Sequence, residues 1–141
     1  MTTKIAQDHI YKNLFRTELL EDKFGQAISL FNNNHLHASY ELLFQLWYDS
    51  KSPNRKLFYQ GILQACATLY LIQDRKLCGA QKVLCKSLRN LAPFAKITKP
   101  FNIQQLMKDL YHYSSAAIML NSCDGDLDVQ LMSRPRIKPY L

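Results

Sequence analysis

The sequence predicts an all-α protein, an antiparallel bundle of about five helices around a buried central helix at about residues 54–73. Three observations predict it. Only four glycines and five prolines punctuate 141 residues, whereas a many-stranded fold asks for turn signals roughly every 8–12 residues. Between them, apolar residues recur at intervals of three and four. Residues 57–73, "LFYQGILQACATLYLIQ", carry no charge at all. That run falls short of the roughly 18–20 apolar residues that cross a bilayer, and two glutamines and a glycine interrupt it, so it reads as a buried central helix.

The elements follow in order. Leu20, Phe24, Ala27, Ile28 and Phe31 keep helical spacing up to "NNN", residues 32–34, and asparagine tolerates the left-handed conformation of a tight turn. A second helix runs from about His35 to Tyr48, with Leu36, Tyr40, Leu43, Phe44 and Trp47 as its stripe. Ser52 followed by Pro53 has the form of an N-cap and first helical residue, which opens the central helix. Asp74 is the expected cap of a fourth helix, "RKLCGAQKVLCKSLRNLA". In "FNIQQL" Asn102 can cap, Gln105 can bond back and Phe101 can staple onto Leu106, so a fifth helix starts there and reaches about Leu120.

These elements give three expected regions: an N-terminal arm or short helix at 1–18, the bundle at 19–120 and a tail at 121–141. Pro135 and Pro139 forbid ordinary helix in the tail, which is expected to be extended. The N-terminus lacks the apolar run and cleavage site of a secretory signal, so the expected location is cytoplasmic and not secreted. Cys66, Cys78, Cys85 and Cys123 show no C-x-x-C spacing and read as free, small buried hydrophobes.

The formal net charge of +7 is unevenly spread. Residues 1–50 hold four Lys/Arg against six Asp/Glu, residues 51–100 hold ten against one, and residues 101–141 hold four against four. One segment therefore carries the excess. Arg75, Lys82, Lys86 and Arg89 follow helical spacing opposite Leu77, Leu84, Leu88 and Leu91, with Lys76 beside them. Such a stripe fits phosphate or an acidic protein surface.

Gln60 and Gln64 lie one turn apart in the uncharged run, and a buried amide without partners costs about 1–3 kcal/mol. Something polar is expected to face them. Glu41 and the Tyr40 hydroxyl, on the second helix, are the expected partners.

The strings "FNNNHLHASYELLFQLW", "FYQGILQACATLYL" and "GAQKVL" also carry a resemblance. In motif order and spacing over about residues 24–92, the chain resembles the all-helical domain of unknown function numbered three hundred and nine, found in bacteria, archaea and some plastid lineages. The resemblance implies a His-x-x-x-Glu-x-x-Trp string with a second acid after the histidine. Here those positions read Tyr40, Phe44 and Trp47, with Glu41 alone keeping the second acid, and a later family histidine falls at Leu71. Tyrosine, phenylalanine and leucine cannot replace such groups as ordinary divalent-metal ligands. A plastid-encoded member would sit in the stroma.

No catalytic, cofactor-binding or metal-ligating residue is assigned. The expectation is a non-catalytic helical interaction module, a small subunit or assembly factor of a larger complex. It docks an acidic protein surface through Arg75, Lys76, Lys82, Lys86 and Arg89. Tyr40, Glu41, Gln60, Gln64 and Trp47 form a structural polar layer, and homo-oligomerisation stays open. The competing reading is a metal-dependent or acid/base enzyme with a rearranged site around Glu41, joined by His37, Tyr40, Gln60 and Gln64. Nucleic-acid binding by the basic stripe is a third, disfavoured because aromatic residues are not interleaved with it. "DGDLD", residues 124–128, opens like a calcium loop, but the loop's glycine and final glutamate positions are Val129 and Pro135.

Overall fold

The computed structural model describes residues 22–96, 101–121 and 134–138. Five α-helices run through them: α1 (Asp22–Asn32), α2 (Leu36–Asp49), α3 (Pro53–Gln73), α4 (Leu77–Leu91) and α5 (Ile103–Asn121), with a short 3-10 turn, Ala92–Phe94, after α4. This is the all-α arrangement that the sequence predicts. Helix α3 is its centre: it packs against α2, α4 and α5, and Phe24 of α1 meets its Phe58 and Tyr59.

Two turns of the same design connect the first four helices. Asn34 and Arg75 adopt left-handed backbone, with φ of 66° and 59°. After α1, His35 N–H donates to the Leu30 carbonyl and Asn34 N–H to that of Phe31. After α3, Lys76 N–H donates to the Leu71 carbonyl and Arg75 N–H to that of Ile72. Each is a Schellman motif that satisfies carbonyls left open at a helix end. The Gln73 amide donates to Asn34 Oδ1 at 2.7 Å and ties the two turns together. Helices α1 and α3 therefore end side by side.

This geometry corrects the expected role of Asp74. It terminates α3, and α4 begins after Lys76 without a side-chain cap, because the left-handed Arg75 separates Asp74 from the helix it was expected to open. Elsewhere the expected caps form. Ser52 Oγ accepts from Arg55 N–H at 3.4 Å, with Pro53 as the first helical residue. Asn102 Oδ1 accepts from Gln105 N–H at 3.0 Å. The Gln105 side chain does not bond back; it donates forward to Asp109 Oδ1.

Aromatic packing fills one side of α3. Phe24, Phe58, Tyr59, Phe94 and Phe101 form a chain of ring contacts with centroids 5.3 to 6.0 Å apart. Small residues then let the helices approach closely. A Cβ placed on Gly61 would lie 2.6 Å from Leu91 Cδ2 and 3.3 Å from the Leu91 backbone nitrogen, so α4 reaches α3 only because residue 61 has no side chain. Ser87 Oγ donates to the Gly61 carbonyl at 2.8 Å across that contact. Ser39 does the same between α2 and α1, donating to the Ala27 carbonyl at 2.8 Å.

Ser39 also shows why the α2 stripe differs from expectation. The buried positions are Leu36, Ser39 and Leu43, a face rotated away from Tyr40, Phe44 and Trp47. A small hydroxyl with a backbone acceptor occupies the core position, and the large rings lie to one side.

Cys66 is buried, as expected, and its thiol lies 3.0 Å from the Leu36 carbonyl oxygen, to which it donates. Burial pushes this thiol up to about 12, against weaker opposing pulls from Ser39 and the Tyr40 backbone. Cys78 and Cys85 are free and exposed, which corrects their reading as buried hydrophobes; on α4 they face away from Ala80, Leu84 and Leu91.

The segment 134–138 lies on the bundle without helix or strand. Asn32, the last residue of α1, holds it: its Nδ2 donates to the Ile137 carbonyl at 3.0 Å and its Oδ1 accepts from Ile137 N–H at 2.8 Å. The Asn32 carbonyl accepts from the guanidinium groups of Arg134 and Arg136, and the Lys138 carbonyl accepts from Asn102 N–H. Ile137 is 1% exposed and belongs to the core. The expected N-terminal arm, Cys123 and the acidic segment 124–128 lie outside the described residues.

Candidate functional site

Helix α3 is closed on most sides and open along one line. Leu57, Gln60, Gln64, Ala67 and Leu71 are half-buried and share a face, while Phe58, Tyr59, Gly61, Ile62, Ala65, Cys66 and Leu69 between them are buried. That line is the floor of a groove between α2 and α4. Tyr40, Phe44 and Trp47 form one wall, Val83 and Lys86 the other, and Gln60, Leu63, Gln64 and Ala67 the floor of a space of about 280 Å³.

The floor presents hydrogen-bonding groups. Gln64 Oε1 accepts from Asn90 Nδ2 of α4 at 2.7 Å, so the partner of this glutamine comes from the fourth helix and not the second. Its Nε2 and the whole Gln60 amide make no hydrogen bond among the described residues. Both side chains line the groove, where solvent or a ligand can satisfy them.

The aromatic wall is internally packed. Phe44 meets Tyr40 with centroids 6.4 Å apart, Trp47 at 5.4 Å and Tyr48 at 6.4 Å. Lys56 Nζ stands 5.4 Å from the Trp47 ring centroid, a cation–π contact. Phe44 is 44% exposed and Tyr48 70%.

Of the five residues expected to form a polar layer, Tyr40, Trp47, Gln60 and Gln64 meet in the groove and Glu41 does not. Glu41 points to solvent with its side chain 66% exposed and pairs with His37 one turn back at 3.2 Å. The reason is phase: residue 41 is about 200° around the helix from both Ser39 and Leu43, which face the core. The burial that an acid/base role for Glu41 required is therefore absent. Phe44 and Asn90 join the site instead. Asn90 stands one turn beyond Lys86, so helical spacing from the basic stripe could have pointed to it.

The basic candidates divide in two. Lys82, Lys86 and Arg89 are exposed along α4, opposite Ala80, Leu84, Ser87 and Leu91, which are buried. None of the three makes an ion pair among the described residues. Arg75 and Lys76 are exposed in the turn before α4, off the regular face on which the sequence had set Arg75, and Lys76 pairs with Asp74 at 3.2 Å.

Among the described residues, no three His, Cys, Asp or Glu side chains converge to hold a metal ion, and no helix is long and apolar enough to cross a membrane. His35 and His37 are exposed.

These features define a small all-helical bundle with an open groove flanked by aromatic and basic side chains. Residues 24–83 match the model of the family described as Domain of unknown function (DUF309), which bears out the resemblance over those residues. The matched stretch runs from α1 into α4 and includes every groove residue except Lys86 and Asn90. No curated protein and no solved structure matches the chain.

Proposed function

We propose that this protein is a non-catalytic helical interaction module, a small subunit or assembly factor that docks an acidic protein surface through the basic face of α4. One observation carries the reading. Lys82, Lys86 and Arg89 stand exposed on a helix that contains no acidic residue, with no carboxylate paired to them among the described residues. Cations left unneutralised in this way steer and orient an acidic partner.

Nucleic acid is the other polyanion such a face could meet. Bases stack on free ring faces, and here the nearby rings pack on one another and under Lys56, which favours a protein partner.

The test is native mass spectrometry of the protein isolated at low salt from its own source, for the wild type and for the Lys82→Glu/Lys86→Glu/Arg89→Glu variant. The reading expects chain plus a protein partner for the wild type and the chain without that partner for the variant, with the helical circular dichroism of both alike. A partner that stays bound to the folded variant removes this docking site. Copurified nucleic acid in place of protein removes the partner class.

A further inference from the structure

Two helices bring the same spacing to the groove, and a third carries it along the groove's rim. On α2 the wall is Tyr40, Phe44 and Trp47; on α3 the floor is Gln60, Gln64 and Ala67; on α4 the cations are Lys82, Lys86 and Arg89. Each row is i, i+4, i+7, and each spans two turns, about 10 Å along its helix. Lys86 lines the groove itself, and Lys82 and Arg89, exposed one turn to either side, are turned about 40° and 60° from it toward solvent, along the rim. The result is a two-turn trough with an aromatic wall, an amide floor and a second wall of Val83 and Lys86 whose solvent rim carries Lys82 and Arg89.

We propose that this groove receives an acidic amphipathic helix of a partner protein, two turns of which lie in the trough. Apolar residues of the guest at i, i+4 and i+7 pack on Tyr40, Phe44 and Trp47, and its Asp or Glu side chains on the adjoining face meet Lys82, Lys86 and Arg89. This proposal rests on the docking reading above and names the form of the partner. Helix-in-groove recognition reads i, i+4 and i+7 anchors, and charge complementarity across the trough fixes which way the guest's apolar face turns. The unbonded Gln60 amide and Gln64 Nε2 supply hydrogen bonds to polar guest side chains at the seam between the two walls.

The ring packing also argues for a helix. Tyr40 and Phe44 stack at 24° between their planes, and Lys56 covers Trp47. The wall therefore offers edges and a continuous apolar ridge, suited to Leu or Met side chains and unsuited to inserted bases.

Trp47 is the chain's one tryptophan, so its fluorescence reports on the groove. The probe is a phage-displayed library of peptides about 14 residues long, enough for nearly four helical turns. It is selected on the wild-type protein and subtracted on the Phe44→Glu variant, a change at an exposed position. The expected result is enrichment of sequences with large apolar residues at i, i+4 and i+7 beside Asp or Glu. Their synthetic forms should shift Trp47 emission and bind Phe44→Glu and Lys86→Glu roughly ten-fold or more weakly, well above the scatter of affinity measurements.

No enrichment over the Phe44→Glu bait overturns the proposal, as does an affinity indifferent to Lys86→Glu. A single-stranded oligonucleotide that shifts Trp47 emission and displaces the peptides assigns the groove to nucleic acid and overturns it too. So does a concentration-dependent dimer that Phe44→Glu abolishes, which would seat a second copy there. The two readings fail differently in native mass spectrometry. A natural partner lost from the α4 triple variant but retained by Phe44→Glu leaves basic docking standing and removes the helix from the groove, whereas one retained by both removes the docking surface itself.

Discussion

The molecule contains two aromatic clusters that the same residue types build to opposite ends. Phe24, Phe58, Tyr59, Phe94 and Phe101 close one side of α3. Tyr40, Phe44, Trp47 and Tyr48 gather on α2 beside its open line, with Phe44 and Tyr48 exposed. The first cluster joins α1, α3, the 3-10 turn after α4 and the residues just before α5; the rings of the second all belong to one helix, and Lys56 of α3 reaches over one of them. Aromatic surface buried between elements holds a fold together, and aromatic surface gathered on one exposed face is available to something outside it.

Truncating one ring from each cluster separates the two roles most directly. Phe58→Ala should cost about 3–5 kcal/mol in denaturant unfolding, the range for a buried aromatic replaced by alanine. Phe44→Ala should change stability by no more than about 0.5 kcal/mol, as surface substitutions do. Equal losses at the two positions would mean that the α2 cluster supports the bundle after all.

A second pair sits on neighbouring residues of α3. Gly61→Ala forces a methyl against Leu91 and should lower stability by about 1–2 kcal/mol, even after the roughly 1 kcal/mol that alanine gains over glycine within a helix. Gln60→Ala, one residue away but facing the groove, should shift the unfolding midpoint by no more than about 0.5 kcal/mol equivalent. The closed and open sides of α3 would then differ across a single peptide bond.

Asn32 offers a test on the closed side alone. Removing its amide with Asn32→Ala breaks two hydrogen bonds to Ile137 and should cost about 1–2 kcal/mol at the usual net value of each. Hydrogen exchange at the Ile137 amide should rise while that of the α3 core stays slow. Unchanged protection at Ile137 would show that burial of its side chain holds the segment unaided.

The thiols give the sharpest contrast. Iodoacetamide at pH 8 should modify Cys78 and Cys85 in the folded protein and spare Cys66 until it unfolds, as mass mapping of the labelled peptides would show. Cys66 also sets a pH dependence. Below its ordinary value of 9.0 the thiol is protonated in folded and unfolded chains alike and stability does not vary with pH on its account. Between 9.0 and about 12 only the unfolded chain loses the proton, so stability falls as pH rises through that window. Cys66→Ala should flatten that alkaline slope; a slope unchanged by the substitution would assign it to other groups.

Much of the fold was legible because its signals are local. Ser52–Pro53 marked the start of α3, the asparagines marked the end of α1 in a left-handed turn, and Asn102 marked α5. The site was legible in part. Apolar counting on α2 found Tyr40, Phe44 and Trp47 but took them for the core stripe, because Ser39 disguised the core phase: a serine fits there only when a carbonyl of another helix, that of Ala27, stands ready to accept its proton. The same error of phase drew Glu41 inward. Asn90 as the partner of Gln64, and Asn32 as the partner of Ile137, depend on contacts 26 and 105 residues apart, which no window of helical periodicity spans.

The Asn32 contact has a consequence for the order in which the molecule assembles. One amide presents a donor and an acceptor to the backbone of residue 137, as a neighbouring strand would, and so closes a loop of 105 residues. Loop closure of that length is entropically costly and returns only a few hydrogen bonds, to Asn32 and Asn102, until Ile137 has a formed core to enter. The α1 to α4 contacts, most of them between helices adjacent in sequence, close shorter loops and can form before it. The clasp at Asn32 is therefore expected to be the last part of the described fold to set, and the first to open when the protein is stressed.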